Sequence, residues 1–373
     1  MIRFRLLLLP FLAALSACLP DRAADSPPAE SPPVAVRPAP PPPAPLAARV
    51  QALGEGFDGD VGIAVHDLGE GWTAGYRADE LFPQQSVSKL WVAIAVLDRL
   101  DAGELRISET VVVRREDLSV FHQPIRRFVD DDGYRTTIAE LLSGAMAKSD
   151  NAANQVLMYR VGGPEAIQAL LRAKGLDGIR FGPGERALQS QIAGLEWRPE
   201  YSFGWLFQEA REQLPKEWRQ QAMQNYLADP IDGAKPAAVV HALARLHRGE
   251  LLSREATRHL LETMEASRTG PKRLRAGVAE GWTVAHKTGT GQVLGPVATG
   301  YNDVALITAP DGRTYAVAVM IGRTTRSVPA RQELMADVAR AVVAHHEGKL
   351  VTPAPEGEAK TDPKAADGAP PAS

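Results

Sequence analysis

A serine and a lysine three residues apart, Ser86 and Lys89, stand at the start of an apolar stretch that extends to Leu97. Pro83 lies just upstream and suits a junction between a strand and a helix, and residues three apart on a helix share one face. A serine hydroxyl is a weak nucleophile unless a base takes its proton, and a lysine can do so when burial favours its neutral amine. The pair therefore indicates a candidate nucleophile and base, although Ser-x-x-Lys also occurs by chance at solvated helix starts.

Two further segments carry polar side chains that suit catalysis. A Ser-Asp-Asn segment occupies residues 149–151, where it is also a good helix cap. A His-Lys-Thr-Gly-Thr segment occupies residues 286–290 at the end of a predicted strand. Because neighbouring strand residues point to opposite faces, His286 is expected to point away from Lys287, and we interpret His286 as structural.

Ser-x-x-Lys, Ser-Asp-Asn and Lys-Thr-Gly, in this order, form the signature set of penicillin-recognising serine enzymes. With these motifs in place, the chain from about residue 48 to 348 resembles a class A β-lactamase. Supporting stretches are Val-Gly-Gly-Pro at 161–164, Gly-Glu-Leu-Leu at 249–252 and Tyr-Asn-Asp-Val-Ala at 301–305. The resemblance implies a serine β-lactamase that uses no metal and no cofactor, because a carboxylate activates the water.

The resemblance also implies a role for each residue that matches a motif. Ser86 would attack the β-lactam carbonyl, and either Lys89 or a glutamate acting through water would take the proton. The N–H groups of Ser86 and Thr290 would form the oxyanion hole, and Ser149 would relay a proton to the leaving nitrogen. The expected substrate-binding residues are Asn151, Lys287, Thr288, Gly289, Thr290, Arg273 and Gln189.

The resemblance implies a different role for each of these substrate-binding residues. Asn151 would hold the substrate amide, while Lys287 and Thr288 would bind the substrate carboxylate by charge and hydrogen bond. Gly289 would let a substrate backbone approach closely. Arg273 resembles an arginine that some family members place near the substrate carboxylate, and a surface arginine is the open alternative.

The family also needs a glutamate that activates the deacylating water, and two segments compete for that position. Trp-Arg-Pro-Glu at 197–200 is superficially similar to the family sequence but would put Arg198 in the glutamate's place. Glu185 lies 36 residues after Ser149, which resembles the family spacing. Gln189 then lies where the family has a polar residue that helps to hold the water. We expect Glu185 to be the base, and a solvated loop glutamate is the alternative.

Choosing Glu185 requires an insertion around residues 190–230, since 138 residues separate Ser149 from Lys287. The aromatic residues of this segment include Trp197, Tyr201, Trp205, Trp218 and Tyr226. Two interpretations compete: a helical elaboration that packs its own aromatic side chains, or a wall or lid on the substrate cleft. We prefer the first.

The elements that must position these residues have strands near both ends of the chain. The predicted strands are residues 60–66, 71–76, 283–287, 302–308 and 315–321. Short helices are predicted at 46–53 and 330–344, and a helix-rich middle extends from residue 86 to about 264. This order predicts an α/β (α+β) fold, with an antiparallel sheet built from both chain ends, flanking helices and an all-helical domain. The substrate cleft is expected between the two parts.

The two ends of the chain differ in composition from this body. A basic start, a short apolar run and Leu-Ser-Ala-Cys at 15–18 resemble a bacterial lipobox, so we expect a signal peptide over residues 1–17 and lipid on Cys18. An ordinary signal peptide with an incidental cysteine is the alternative. We expect a lipid-anchored, Pro-rich linker at 18–47, a catalytic domain at 48–348 and a disordered tail at 349–373.

Composition limits the partners. The formal net charge of −3, with both signs mixed along the chain, argues against nucleic acid. The one cysteine excludes a disulfide within this sequence and a cysteine-based zinc site. We expect a periplasmic monomer attached through Cys18, with the outer membrane favoured by Leu19, and a small β-lactam as its substrate. A penicillin-binding D,D-peptidase or transpeptidase, an esterase and a non-catalytic cell-wall binding protein are the alternatives.

Overall fold

A computed structural model describes residues 39–350 of the chain. The predicted signal peptide, Cys18, most of the predicted linker and residues 351–373 of the predicted tail lie outside the described residues. Among the helices of residues 39–350, none combines the length and the apolar character that crossing a membrane requires.

One antiparallel sheet takes strands from both ends of the described chain. All strands of the described residues, including those of two small separate sheets (β3 with β6, and β4 with β5), are β1 (Val61–Asp67), β2 (Thr73–Tyr76), β3 (Phe82–Pro83), β4 (Thr110–Val113), β5 (Tyr134–Thr137), β6 (Gly233–Ala234), β7 (Thr283–Thr290), β8 (Val293–Leu294), β9 (Val297–Thr308) and β10 (Thr314–Thr324). The main sheet has the order β2-β1-β10-β9-β7, with β8 paired to β9. Strand β7, which carries the Lys-Thr-Gly motif, is therefore an edge strand.

Helices pack on both faces of this sheet. They are α1 (Ala44–Glu55), α2 (Lys89–Asp101), α3 (Ile138–Ala147), α4 (Asn151–Arg160), α5 (Gly163–Ala173), α6 (Glu185–Ala193), α7 (Leu206–Gln213), α8 (Lys216–Ala228), α9 (Pro236–His247), α10 (Arg254–Glu265) and α11 (Val328–His346). The terminal helices α1 and α11 cover one face, and the helical domain covers the other. The predicted fold class is confirmed.

The central strand β10 shows how alternation builds the two cores. Its even-numbered side chains, Ala316, Ala318 and Met320, join the core shared with the helical domain. Its odd-numbered side chains, which pack under α1 and α11, are Tyr315, Val317, Val319 and Ile321. Successive strand residues point to opposite faces, and a strand buried on both faces is a continuous apolar run.

Two details differ from the sequence expectations. Helix α1 begins at Ala44, inside the segment assigned to the linker, because Leu46 and Val50 are fully buried against the sheet. The stretch from 86 to 264, expected to be helical, also contains the short antiparallel hairpin of β4 and β5, in which Thr110 pairs with Thr137.

Helix α2 forms the centre of the helical domain. All its residues from Lys89 to Leu97 are buried, which is the pattern of a helix that is surrounded on every side. Helix α3 begins at a capping box, in which the Thr137 side chain accepts from the Glu140 N–H and the Glu140 carboxylate accepts from the Thr137 N–H. These two helices bring the first and second motifs to the same end of the domain.

Candidate active site

Ser86 is presented by a 3-10 turn, Gln85–Ser88, that leads directly into α2. The Nζ atom of Lys89 lies 2.6 Å from the Oγ atom of Ser86. Lys89 is only 1% exposed, whereas Ser86 opens into a cleft. Gln85 has a φ of +54°, which is costly for a residue with a side chain. A buried carboxylate holds this turn, because Asp232 Oδ2 accepts a 2.8 Å hydrogen bond from the Gln85 N–H.

Lys287 meets the second motif across the cleft. Its Nζ atom donates to Ser149 Oγ and to the Thr288 carbonyl oxygen, both at 2.9 Å. Ser149 also has a left-handed backbone, with φ of +57°. Burial, followed by the neighbouring cations Lys89 and Arg273, lowers the pKa of Lys287 well below the usual lysine value. The ammonium of Lys287 is therefore easier to deprotonate than a surface lysine.

Glu185 is the first residue of α6 and lines the same cleft. Its Oε2 atom lies 3.4 Å from Lys89 Nζ, and the side chain is nearly buried. The preceding Gly184 has φ of +87°, and a Cβ there would lie 2.7 Å from the Met158 methyl group, so this turn needs a glycine. The competing glutamate, Glu200, is exposed and is not among the residues that line the cleft.

The cleft has a volume of about 510 Å³ and collects most of the predicted site residues. The predicted residues on its lining are Ser86, Ser149, Asn151, Glu185, Gln189, Arg273, Thr288 and Thr290. Lys89, Lys287 and Gly289 are absent from the lining, although both lysines contact side chains that line it. The cleft lies where the helical domain meets the edge strand β7.

Asn151 begins α4, and Asp150 caps that helix. The Asp150 carboxylate accepts from the N–H groups of Ala153 and Ile125, and burial raises its pKa. The Asn151 Nδ2 atom donates to the Val120 carbonyl oxygen at 2.8 Å. The Ser-Asp-Asn segment thus acts as a helix cap and also contributes side chains to the cleft.

Arg273 is 6% exposed, so the alternative of a surface arginine is wrong. Its Nη1 atom donates to the carbonyl oxygens of Gly289 and Asn302, at 2.9 and 2.6 Å. Its Nη2 atom donates to Thr290 Oγ1 at 2.7 Å. Arg273 therefore fixes the cleft end of β7 as well as adding positive charge to it.

Gly289 has a packing reason that the sequence did not indicate. A Cβ at this position would lie 2.4 Å from the Gln84 carbonyl oxygen, immediately before the turn that carries Ser86. Asn302, on β9, reinforces the same junction, because its Nδ2 atom donates to the carbonyl oxygens of Pro83 and Gln84. Gly289 thus allows the protein's own backbone, at the Gln84 carbonyl, to approach β7 closely.

Beside the serine turn lies a buried polar network, of which the sequence analysis had identified only Gln189. Tyr226 donates to Asp232 Oδ1 at 2.9 Å and accepts from Gln85 Nε2 at 2.6 Å. Gln189 Nε2 donates to Gln85 Oε1, and Gln292 donates to Gln189 in turn. Burial raises the pKa of Asp232 to about 6. No local pattern marks the other members, because they are polar side chains far apart in the sequence.

The segment around residues 190–230 is helical and contributes to the cleft. Tyr201 packs edge-to-face on Phe207, as expected for an insertion that packs its own aromatic side chains. Phe207, Gln208 and Arg211 of α7 nevertheless line the cleft, so the segment also forms part of the cleft wall and our preferred interpretation was incomplete. Phe121 also lines the cleft, and its ring centroid lies 5.0 Å from that of Phe207.

His286 has the structural role expected from strand alternation. Its side chain is fully buried, and Nδ1 lies 2.9 Å from the Asp303 carboxylate on β9. The Asp303 carboxylate also accepts from the Leu274 N–H, which anchors the segment that precedes β7.

Comparisons with known proteins identify what the chain is similar to. The profile of the beta-lactamase enzyme family matches residues 45–346. Beta-lactamase SME-1 of Serratia marcescens is 28% identical over 298 residues, covering 80% of this chain and 87% of that protein. A beta-lactamase of Rhodobacter capsulatus is 29% identical over 299 residues, covering 80% and 87% respectively.

Solved structures give the same result. A beta-lactamase from Chitinophaga pinensis has a TM-score of 0.67 and 26% identity, covering 81% of this chain and 99% of that one. An ancestral class A beta-lactamase has a TM-score of 0.64 and 32% identity, covering 80% and 99%.

Proposed function

The chain belongs to the beta-lactamase enzyme family, and on that premise we propose that it hydrolyses the β-lactam amide through an acyl-enzyme on Ser86. It is a serine hydrolase of the class A β-lactamase type. The proposal rests on the way these side chains meet at one place: Ser86 Oγ lies 2.6 Å from Lys89 Nζ, in a cleft that Glu185 and Ser149 also line.

In the acylation step, Ser86 Oγ attacks the β-lactam carbonyl carbon while its proton leaves. The 2.6 Å distance lets Lys89 take that proton when its amine is neutral. Glu185, 3.4 Å from the same amine, is the alternative base through a bridging water. The C–N bond of the four-membered ring then breaks, and the ester to Ser86 forms.

Two backbone N–H groups are suited to hold the carbonyl oxygen as it becomes an oxyanion. One belongs to Ser86, in the first turn of a helical segment where N–H groups lack an intrahelical acceptor. The other belongs to Thr290, on the edge strand. The Gly291 N–H donates to the Gly300 carbonyl at 2.7 Å, so ladder alternation turns the Thr290 N–H to the free side of β7. One such donor is worth about 2.7–4 kcal/mol.

The ring nitrogen leaves with a proton delivered by Ser149. Ser149 Oγ is within 2.9 Å of Lys287 Nζ, so the lysine both orients the hydroxyl and replenishes its proton. Lys287 and Thr288 bind the substrate carboxylate on this side of the cleft, and Arg273 adds positive charge behind it. Asn151, anchored by the Val120 carbonyl, holds the side-chain amide.

In the deacylation step, Glu185 takes a proton from water, and the resulting hydroxide attacks the ester carbonyl. The carboxylate faces the cleft from the start of α6, one helical turn before Gln189. Gln189 is itself fixed by Gln85 and Gln292, so it can help to position the water. The bond to Ser86 breaks, the serine recovers its proton, and a ring-opened acid leaves.

The test is to mix the purified enzyme with a chromogenic cephalosporin, follow turnover and measure the intact mass. Many turnovers with a free serine at the end are expected. One stoichiometric adduct would instead support the D,D-peptidase or transpeptidase, and no reaction would support a binding protein. Turnover must vanish in Ser86→Ala and persist in Ser88→Ala, a neighbouring serine that bonds its own turn at the Gln85 carbonyl.

We further propose that the chain is exported and held at the periplasmic side of a membrane, the outer membrane being favoured, by lipid on Cys18. The support is the lipobox-like Leu-Ser-Ala-Cys sequence alone. Cell fractionation tests it: wild type should sediment with membranes, and Cys18→Ser should appear in the soluble periplasmic fraction with unchanged kcat/KM. Wild type in the soluble fraction would contradict the proposal.

A further inference from the structure

The inserted helix α7 brings an arginine into the substrate cleft. Phe207, Gln208 and Arg211 lie within about one turn of each other on α7 and line the cleft beside Phe121, which packs on Phe207. Arg211 is half-buried, and its Nη2 atom donates to the Val293 carbonyl oxygen at 3.0 Å. It has no carboxylate partner within 4 Å among the described residues, and its buried Nε–H has no acceptor there.

The charges around Arg211 favour an anion from outside the protein. Glu185 is the only carboxylate among the described residues that line the cleft, and it faces Lys89. Arg219, from the second inserted helix α8, acts on Arg211 as a further positive charge, and Glu212 opposes it from α7. The Arg211 guanidinium therefore has N–H donors that no carboxylate of the protein uses and that are available to a ligand. Guanidinium groups bind carboxylates in a well-defined geometry.

The contact of Arg211 with Val293, on the strand that follows β7, indicates which part of a substrate Arg211 meets. Lys287 and Thr290 mark the end of the cleft assigned to the ring carboxylate and the oxyanion. Val293, the partner of Arg211, lies three residues beyond Thr290, at most about 10 Å along an extended chain and away from Lys287. Asn151, which holds the side-chain amide, is bonded to Val120 in the cluster that also contains Phe207.

Resting on the proposed function, we propose that Arg211 selects β-lactams whose acylamino side chain ends in a carboxylate. The ring carboxylate is bound at Lys287, and the second carboxylate, several bonds beyond the side-chain amide, pairs with Arg211. The insertion thus determines specificity: it adds a cation at the end of the cleft where the substrate side chain projects.

Two cephalosporins provide a matched pair of probes. Cefixime and cefdinir share the same ring and the same aminothiazole side chain, but the oxime of cefixime carries a carboxymethyl group where cefdinir has a hydroxyl. Each is measured as an inhibitor of chromogenic cephalosporin hydrolysis, which does not require turnover of the probe itself. Wild type is expected to bind cefixime about tenfold more tightly, which is about 1.4 kcal/mol, and less so at high salt.

Arg211→Gln should bring the two inhibition constants within about twofold of each other, whereas Arg211→Lys should retain part of the preference. Arg198→Gln is the matched control, because Arg198 belongs to the same insertion but is exposed and does not line the cleft. If Arg211→Gln does not fold, two other measurements test the proposal: the salt dependence of the cefixime preference in wild type, and the preference that Arg211→Lys retains.

The outcomes distinguish failure of the proposed β-lactamase activity from failure of the role proposed for Arg211. If the chromogenic cephalosporin is not hydrolysed, the proposed function itself fails. If it is hydrolysed but wild type shows no preference for cefixime, or Arg211→Gln keeps the preference, the role of Arg211 is overturned and the β-lactamase activity stands.

Discussion

In the proposed mechanism, the buried side chain of Lys287 makes substrate binding depend on pH. Its ammonium is surrounded by protein and lies near two other cations, Lys89 and Arg273, which is why its pKa is lowered. The protonated form is the one that attracts a substrate carboxylate. As the pH rises through the lowered pKa, that form is lost, so substrate affinity decreases on the alkaline side.

We therefore expect the KM for a penicillin to rise with pH well below the usual lysine range, approaching tenfold per pH unit at its steepest. Lys287→Arg supplies the control, because a guanidinium stays charged throughout this range. The measurement is KM and kcat from pH 6 to 9.5 for both enzymes. A KM for wild type that stays flat to pH 9.5 would show that the lysine keeps its proton.

Asp232 is a second residue whose burial has a measurable consequence. The folded state raises its pKa from 3.8 to about 6, so the folded protein holds a proton that the unfolded chain releases. This favours folding below about pH 4, and the benefit is lost as the pH rises through 6. At about 1.4 kcal/mol per pKa unit, the change is up to about 3 kcal/mol.

Asp232→Asn removes that titration while keeping the size of the side chain. We expect the free energy of unfolding of wild type to decrease relative to that of Asp232→Asn between pH 4 and pH 7, measured by urea denaturation. A constant difference across this range would mean that the hydrogen bonds from Gln85 and Tyr226 keep the carboxylate ionised.

At the scale of elements, the site depends on how closely β7 docks against the serine turn. Gly289 allows the Gln84 carbonyl to approach, and Asn302 holds that carbonyl from β9. The oxyanion donors proposed for Ser86 and Thr290 come from these two elements. Their separation is therefore set by this junction and not by either element alone.

Gly289→Ala should push β7 away from the serine turn, since its Cβ would lie 2.4 Å from a backbone oxygen. A displacement of about 1 Å at a catalytic group can cost on the order of a hundredfold in rate, and we expect kcat/KM to fall by about that factor. Gly322→Ala is the control on the same sheet, because its Cβ would lie 3.5–3.7 Å from Phe82, Pro83 and Asp60, which are ordinary contacts. Equal activity of the two variants would contradict this view of the junction.

The sequence predicted the elements better than it predicted their contacts. Short apolar runs beside turn residues predicted β1 and β10, and the motifs predicted the surroundings of Ser86, because both signals are local. The hairpin of β4 and β5 was missed, since its four-residue strands lie inside a helix-rich segment. The contact between Gln85 and Tyr226 joins residues 141 apart in the chain, and no periodicity indicates such a pairing.

At the scale of the whole molecule, the main β-sheet and the helical domain meet at one cleft. The sheet supplies Lys287 and Thr290, and the helical domain supplies Ser86, Ser149 and Glu185. Helix α7 forms part of one side of that cleft, which the sequence could not decide because the aromatic residues fit equally well in a segment that packs on itself. Trp205 and Trp218 in fact remain 72% and 60% exposed.

The central claim is that Ser86 is acylated and that Glu185 frees it. The most direct test is the intact mass of Glu185→Gln after mixing with benzylpenicillin, followed by peptide mapping. The predicted result is a long-lived adduct with the mass of the whole penicillin, located on the peptide that contains Ser86, while wild type returns to its free mass within seconds. An adduct on another residue, or turnover by the variant at the wild-type rate, would contradict it.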